Sequence, residues 1–421
     1  MNEVRNVIVG FDFGEDGSQL CYYDRREAEP VSVPVKVGTG EYVFKNCLSK
    51  KTDSDLWHFG PETDFFVRQK NEILVPDLYH ICQKKETVQV DGKEYQAGEL
   101  LGIFILKSLS MLGLPDPLKS ISSLMVTTPK LSRTMVGNIR TAMQFMGFDK
   151  KRCFIQDYEE SFYVHTLYQK QELWSRNVAL FVFKGNEVSY SWLSVDKNNK
   201  QNQVTIKRGS TTELPEEAED RDQEFYIFAK DCLGSHVFSS IYIMGDGFSR
   251  EWAKERSVPL LCRHQRHVFQ GNNLFCKGAC YGAKEKVEEK NLKGYIFSGN
   301  DMVQFNIGMD MIVSGVNAYH PLIKAGVNWY EASGECEILL DDVKDLMFVV
   351  TDMANTQKKR YAMSLPGLPD RPAKASRLHL IVEFSSVTEC QIKVEDMGFG
   401  DMYPSSGMVW QDIIVNEGGQ R

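Results

Sequence analysis

Val7-Ile8-Val9-Gly10-Phe11-Asp12-Phe13-Gly14 and, far downstream, Val178-Ala179-Leu180-Phe181-Val182-Phe183-Lys184-Gly185 decide the reading of this chain. Each is an apolar run that stops at a glycine turn. A short apolar run bounded by turn residues reads as a buried strand. Each is followed by a second such run, Leu20–Tyr23 in the first case and Tyr190–Val195 in the second. The chain therefore opens twice with strand, turn and strand. The first turn carries Asp12; the matching place in the second holds Val182. Working outward, this predicts a duplicated α/β domain with halves at residues 1–174 and 175–290.

Between and around these runs lie helix and strand signals. Ala97–Leu112 reads as a helix closed by Gly113 and Pro115, and Leu131–Met146 as a second, with Met135, Ile139 and Met143 on one face. Ser122–Thr127 reads as a strand, and Asp157–Trp174 and Lys277–Lys290 as further helices. Ser239–Met244 reads as a strand ending in Gly245-Asp246-Gly247. The acidic run Leu214–Asp222 is expected to be the solvated start of a helix. Past about residue 291 helical periodicity gives way to short alternating runs: Met302–Ile307, Cys336–Leu340, Leu346–Val350, Leu378–Phe384 and Cys390–Glu395. Closely spaced strands of this kind predict an all-β antiparallel sandwich over 291–421, with the boundary near 288–296.

Composition bounds the function. Across 421 residues the hydrophobic share is 42%, enough for a core, and the net charge is −8. A nucleic-acid binder usually shows a basic footprint, so no nucleic-acid partner is expected. No apolar run is long enough for a transmembrane helix, and the first residues show no secretory leader, so neither a membrane nor secretion is expected. The ten scattered cysteines read as reduced thiols, which places the chain in the cytoplasm. Cys262, His264, His267, Cys276 and Cys280 lie close in sequence, but their spacing fits no zinc motif, and no metal site is assigned. The basic cluster Lys358-Lys359-Arg360 is expected at the solvated end of a hairpin.

Five stretches in order carry a resemblance: Gly10-Phe11-Asp12-Phe13-Gly14, Leu124–Pro129, Gln156–Ser161, Ile243-Met244-Gly245-Asp246-Gly247 and Lys277–Ala283. In that order the chain resembles the actin-like ATPase superfamily, and within it the DnaK-type heat-shock chaperones. The stretches are similar to the family's first phosphate loop, first connecting strand, crossover helix, adenosine loop and second connecting helix. Gly367–Pro372 and the runs after it resemble the sheet of the family's substrate-binding sandwich. The resemblance implies a nucleotide-binding-type domain followed by a peptide-binding one. It implies relic catalytic positions at Asp12 and Asp157, with Glu187 as a substitute acid, and phosphate-loop glycines at Gly10, Gly14, Gly185, Gly245 and Gly247 beside Asp246.

The departures from the family point the other way. In the second phosphate loop the family's acid and Thr-containing turn are replaced by Val182, Lys184, Asn186 and Glu187, and Ser189 stands where the family has another acid. Gly185 and Gly245 are only 60 residues apart, too few for the subdomain that walls the family's adenine site. The interdomain linker and helical lid of the family are not expected either. Phosphoryl transfer rests on positioning and charge stabilisation. Glycine-turn amides must reach the phosphate oxygens, and carboxylates must hold Mg²⁺. Glu15, Asp16 and Glu187 would add negative charge, with Lys184 offsetting part of it. The expectation is weak ATP or ADP binding with Mg at most, and no useful hydrolysis.

Three readings follow. One is a chaperone-like protein that binds a peptide or client protein through the sandwich on a degenerate scaffold. The second is a divergent but active ATPase. The third is a structural assembly module of the actin-like class. Bland roles remain open beside these: Asp12 as a turn residue, Asp157 as a helix N-cap, and Gly278 and Gly282 as helix-packing positions. The oligomeric state is left open.

Overall fold

The computed structural model describes residues 6–415 other than 37, 70, 198–201, 289, 314 and 353–357. The chain divides into two compact units, Met1–Phe297 and Ser298–Arg421. The division falls a few residues beyond the expected 290/291 because a strand at Tyr295–Ser298 still joins a sheet of the first unit.

Beside a three-stranded and a two-stranded sheet in its first half, the first unit is built on two large sheets. One contains β1 (Val7–Phe13), β2 (Ser18–Asp24), β3 (Glu29–Ser32), β4 (Ile121–Thr128) and β5 (Cys153–Asp157), in the order β5-β4-β1-β2-β3. The other contains β6 (Asn177–Lys184), β7 (Glu187–Lys197), β8 (Asn202–Glu213), β9 (Phe238–Gly245) and β10 (His267–Gln270), with β11 (Tyr295–Ser298) added at its edge, in the order β10-β9-β6-β7-β8-β11. The first two strands of each sheet form an antiparallel hairpin, and the fourth lies parallel to the first. The fifth then lies parallel to the fourth. The repeat seen in the opening runs therefore extends to strand order and sense.

The main helices of this unit are α1 (Ala97–Leu109), α2 (Arg133–Phe145), α3 (Tyr158–Tyr168), α4 (Ala218–Leu233) and α5 (Leu274–Val287). α3 follows the first sheet but packs on the second: Phe162, Tyr163, Val164 and Leu167 join one core with Val178, Leu180, Leu193 and Tyr242. α5 follows the second sheet and packs on the first, with Cys276, Ala279, Cys280 and Ala283 against Ile8, Cys21 and Met125. The two helices touch at Gly278, where a Cβ would stand 2.1 Å from the carbonyl oxygen of Ser161. Only glycine permits backbone contact this close.

Helix ends are tighter than the periodicity suggests. Ser110–Leu112 and Gln171–Trp174 are separate 3₁₀ turns after α1 and α3. The acidic run is the solvated start of α4, as expected, at Glu216, Glu217, Glu219 and Asp220, but not at its last acid. Its Asp222 is buried and accepts hydrogen bonds from the backbone N–H groups of Arg256 and Ser257, both at 2.9 Å. Two unpaired amides at a helix start attract a carboxylate more strongly than water does. Among the described residues no helix is long and apolar enough to cross a membrane.

The second unit has β12 (Phe305–Val313), β13 (Val316–Ile323), β14 (Ser333–Leu340), β15 (Asp345–Asp352), β16 (Lys358–Ser364), β17 (Ser376–Phe384), β18 (Glu389–Asp396) and β19 (Val409–Val415). They form two antiparallel four-stranded sheets, β13-β12-β15-β16 and β14-β17-β18-β19. Alternate residues point inward, as the period of a half-buried strand requires: Leu346, Phe348 and Val350 from β15, and Leu378, Leu380 and Val382 from β17, are buried. The Phe305 and Phe384 rings meet at 5.1 Å between the two sheets. The first expected strand, Met302–Ile307, begins only at Phe305. The basic cluster lies exposed at the turn-proximal end of the β15–β16 hairpin, as expected, and β16 is also an edge strand of its sheet.

Arg371 and Asp396 make a buried bidentate pair, with both N–H···O distances 2.8 Å. Asp396 also accepts from the backbone N–H groups of Gly398 and Ser406. Arg371 and these donors hold its pKa well below the usual carboxylate range. This stabilisation is present above the unfolded-state carboxylate pKa and is lost as pH falls toward the folded value.

Two substitutions test this packing. Gly278→Val should cost about 2 kcal/mol or more by forcing α3 and α5 apart, and an unchanged urea midpoint for the first unit would contradict it. Asp396→Ala leaves a buried guanidinium unpaired and should cost about 3–5 kcal/mol in the unfolding of the second unit. A loss below about 1 kcal/mol would show that the pair is dispensable.

Candidate functional site

Three turns meet at one end of the two large sheets of the first unit. The β1–β2 turn carries Gly14 and Glu15, the β6–β7 turn carries Gly185 and Asn186, and the turn after β9 carries Gly245, Asp246 and Gly247. Lys184 Nζ lies 3.0 Å from a Glu15 carboxylate oxygen, which joins the first turn to the second. Asn272 joins the first sheet to the third turn. Its carbonyl accepts from Gln19 Nε2 at 2.6 Å, and its Oδ1 accepts from Gly245 N at 2.9 Å.

Arg221, at the start of α4, ties the second turn to the third. Its guanidinium donates to the carbonyls of Gly185 (2.8 Å), Gly247 (3.1 Å) and Pro215 (3.0 Å), and to Asn186 Oδ1 (2.7 Å). A Cβ on Gly247 would stand 2.1 Å from the Gly185 carbonyl oxygen, so the two turns are in backbone contact.

The structure thus brings Asp12, Gly14, Gly185, Gly245, Asp246 and Gly247 together, but the amides are already engaged. Gly14 N donates to Gly17 O at 3.1 Å, Gly185 N to Asp246 Oδ1 at 3.3 Å, and Gly245 N to Asn272 Oδ1. A phosphate cradle needs such N–H groups free to aim at the ligand. Gly10 departs from its expected role. Its open face is covered by α5, and a Cβ there would stand 2.5 Å from the Cys276 carbonyl oxygen.

Asp12 is buried at the C-terminal end of β1 and accepts a hydrogen bond from Tyr158 Oη at 2.7 Å. Tyr158 opens α3 and stacks on Phe275 of α5, with ring centroids 3.8 Å apart. Its hydroxyl also lies 2.7 Å from where a Cβ of Gly14 would stand. The tyrosine therefore fills the space between the aspartate and the first turn. Burial pushes the Asp12 carboxyl up from 3.8 to about 7, while the Tyr158 hydrogen bond pulls it down; the same burial pushes the Tyr158 phenol well up. Asp157 caps α3, its Oδ1 accepting from Glu160 N at 2.7 Å. Glu187 starts β7 on the exposed side of the second hairpin, opposite Lys184.

Tyr158, Asn272, Gln19 and Arg221 organise this site, and sequence reasoning did not single them out. Tyr158 carried a signal, an aromatic directly after a helix-capping acid. Arg221 was hidden in a run read for its negative charge. Asn272 and Gln19 carry no local signal at all. Of the residues considered for zinc, Cys276 and Cys280 are buried in α5 beside Cys21, whereas Cys262 is exposed. Among the described residues no group of three His, Cys, Asp or Glu side chains could hold a metal ion.

Comparison with protein families gives two matches. Residues 29–300 match a family described as family of unknown function (DUF5716), C-terminal. Residues 302–415 match a domain of unknown function (DUF8552). No curated protein matches the chain.

The raised Asp12 pKa has a sign. A carboxyl held above its unfolded value stabilises fully below the unfolded pKa and loses that contribution as pH rises through the folded one. The step from 3.8 to about 7 corresponds to about 4 kcal/mol. Stability of the first unit should therefore fall between pH 4 and pH 8, and Asp12→Asn should flatten that slope. Identical pH profiles of the urea midpoint for both proteins would contradict this assignment.

Proposed function

The chain belongs to the DUF5716 family of unknown function, and we propose that it is a chaperone-like binding protein. In this reading the first unit is a degenerate, non-hydrolysing scaffold of the actin-like ATPase type. The second unit binds an extended peptide or a client protein, without a nucleotide cycle. A cytoplasmic setting goes with this reading.

The observation that carries the proposal is the state of the cleft turns. The amides of Gly14, Gly185 and Gly245 are hydrogen-bonded within the protein, and the Asp12 carboxyl is engaged by Tyr158. To bind a polyphosphate, the chain would have to break these bonds and desolvate Glu15 beside the ligand charge. Like charges at short range in a partly buried site repel by several kcal/mol. The repeated sheet order and the exchanged helices fit a scaffold derived from a duplicated nucleotide-binding fold. The second unit supports the binding half, because it offers unpaired sheet edges and exposed apolar side chains at Met347, Val409, Ile413 and Val415. Extended peptides commonly add to such edges.

Calorimetric titration with Mg·ATP and Mg·ADP tests the scaffold half. No saturable heat is expected at affinities tighter than about 100 μM, or about −5.5 kcal/mol. Saturable binding with turnover that falls on Asp12→Asn would replace this reading with that of a divergent ATPase. Screening immobilised peptides against the full chain tests the other half, and uniform absence of binding would count against it.

A further inference from the structure

The edge strand β16, Lys358-Lys359-Arg360-Tyr361-Ala362-Met363-Ser364, pairs only with β15 among the described strands. Its other side has no neighbouring strand among the described residues. Tyr361 and Met363 pair with Phe348 and Leu346, whose side chains are buried. Lys358, Arg360 and Ala362 therefore occupy the opposite face, across from Thr351 and Val349, which are buried, and from Met347, which is 43% exposed. Lys358, Lys359 and Arg360 are all exposed.

Basic residues on an edge keep like edges apart, since like charges directly opposite one another destabilise a strand pair. The same charges select the one class of strand that the edge does accept. Residues two apart on an extended strand lie on one face at about 6.6 Å. Lys358 and Arg360 have this spacing, and so do acids at alternate positions of an extended peptide. Arg360 already lies 3.6 Å from Asp310, and both side chains are more than half exposed. A carboxylate thus reaches this guanidinium, in a pair weak enough to exchange.

The other edges offer different chemistry. β13 contains Pro321, which cannot donate a ladder hydrogen bond. β14 presents Glu335 and Glu337, which already contact His379 at 2.7 Å and Arg377 at 3.5 Å, diagonally across the strand pair. β19 carries Asp412 among apolar residues.

We infer that the open edge of β16 docks an acidic extended peptide segment, which adds as a further strand with acidic residues at alternate positions facing Lys358 and Arg360. This rests on the proposed peptide-binding role of the second unit and specifies its ligand class.

The test uses the full chain and a fluorescein-labelled ten-residue peptide of alternating Glu and Val. Controls are a Lys–Val peptide and two Glu–Val peptides N-methylated at alternate amides, one in each phase. Fluorescence anisotropy should show saturable binding of the Glu–Val peptide and none of the Lys–Val peptide. One methylation phase should lose binding, because a strand uses alternate amides in its ladder. The double variant Lys358→Glu, Arg360→Glu should weaken binding at least tenfold, and Lys358→Gln, Arg360→Gln by less.

Equal binding of acidic and basic peptides, an unchanged affinity in the charge-reversed variant, or full binding of both methylated peptides would overturn the inference. If the acidic peptide fails while neutral apolar peptides bind, only this ligand class is lost. If no peptide binds, the proposed function falls with it.

Discussion

The first unit depends on the exchange of α3 and α5. Each of its two large sheets has one face covered by a helix whose chain leaves the other. Phe162 and Leu167 of α3 lie in the second core, and Cys276 and Ala283 of α5 in the first. Neither half can bury its apolar face without the other, so the halves form one compact unit. The exchange requires the helices to pass in backbone contact, and Gly278 against Ser161 meets that requirement. Gly10 serves the same end at the sheet surface, where α5 lies directly on β1.

That exchange also sets the chemistry between the halves. The start of α3 carries Tyr158, and the start of α5 carries Phe275. Once the helices are fixed, the two rings stack, and the phenol reaches Asp12. A buried carboxyl without a donor is costly, and the tyrosine supplies one. The glycine turns follow the same logic. The amides of Gly14, Gly185 and Gly245 find acceptors within the protein at Gly17, Asp246 and Asn272. These bonds, with those of Arg221, tie the three turns to one another and to the first sheet.

Much of the architecture was legible in the sequence because period and turn chemistry are local properties. The apolar runs Val7–Phe13 and Val178–Phe183 became β1 and β6, and the alternating runs after residue 300 became a two-sheet unit. Helix ends were less legible, because the last turn of a periodic segment can tighten without changing its pattern, as at Ser110–Leu112. The acidic run opened a solvated helix as its charge suggested, except at its last two residues. Asp222 meets the N–H groups of Arg256 and Ser257, and Arg221 meets carbonyls from three separate segments. Such partners are invisible along the chain.

The sequence by itself determined the strands and the repeat, since these follow from residue type and order alone. Only the tertiary structure decided what the surviving residues do. Asp12 could have held a metal or capped a turn; Tyr158, 146 residues away, decides that its carboxyl is engaged within the protein. Lys358 and Arg360 end a hairpin, as their sequence suggests; the strand order decides that they also line a sheet edge. In both cases the deciding contact is between residues or strands whose proximity depends on the folded topology. A one-dimensional pattern carries no information about which distant donor will reach a given acceptor.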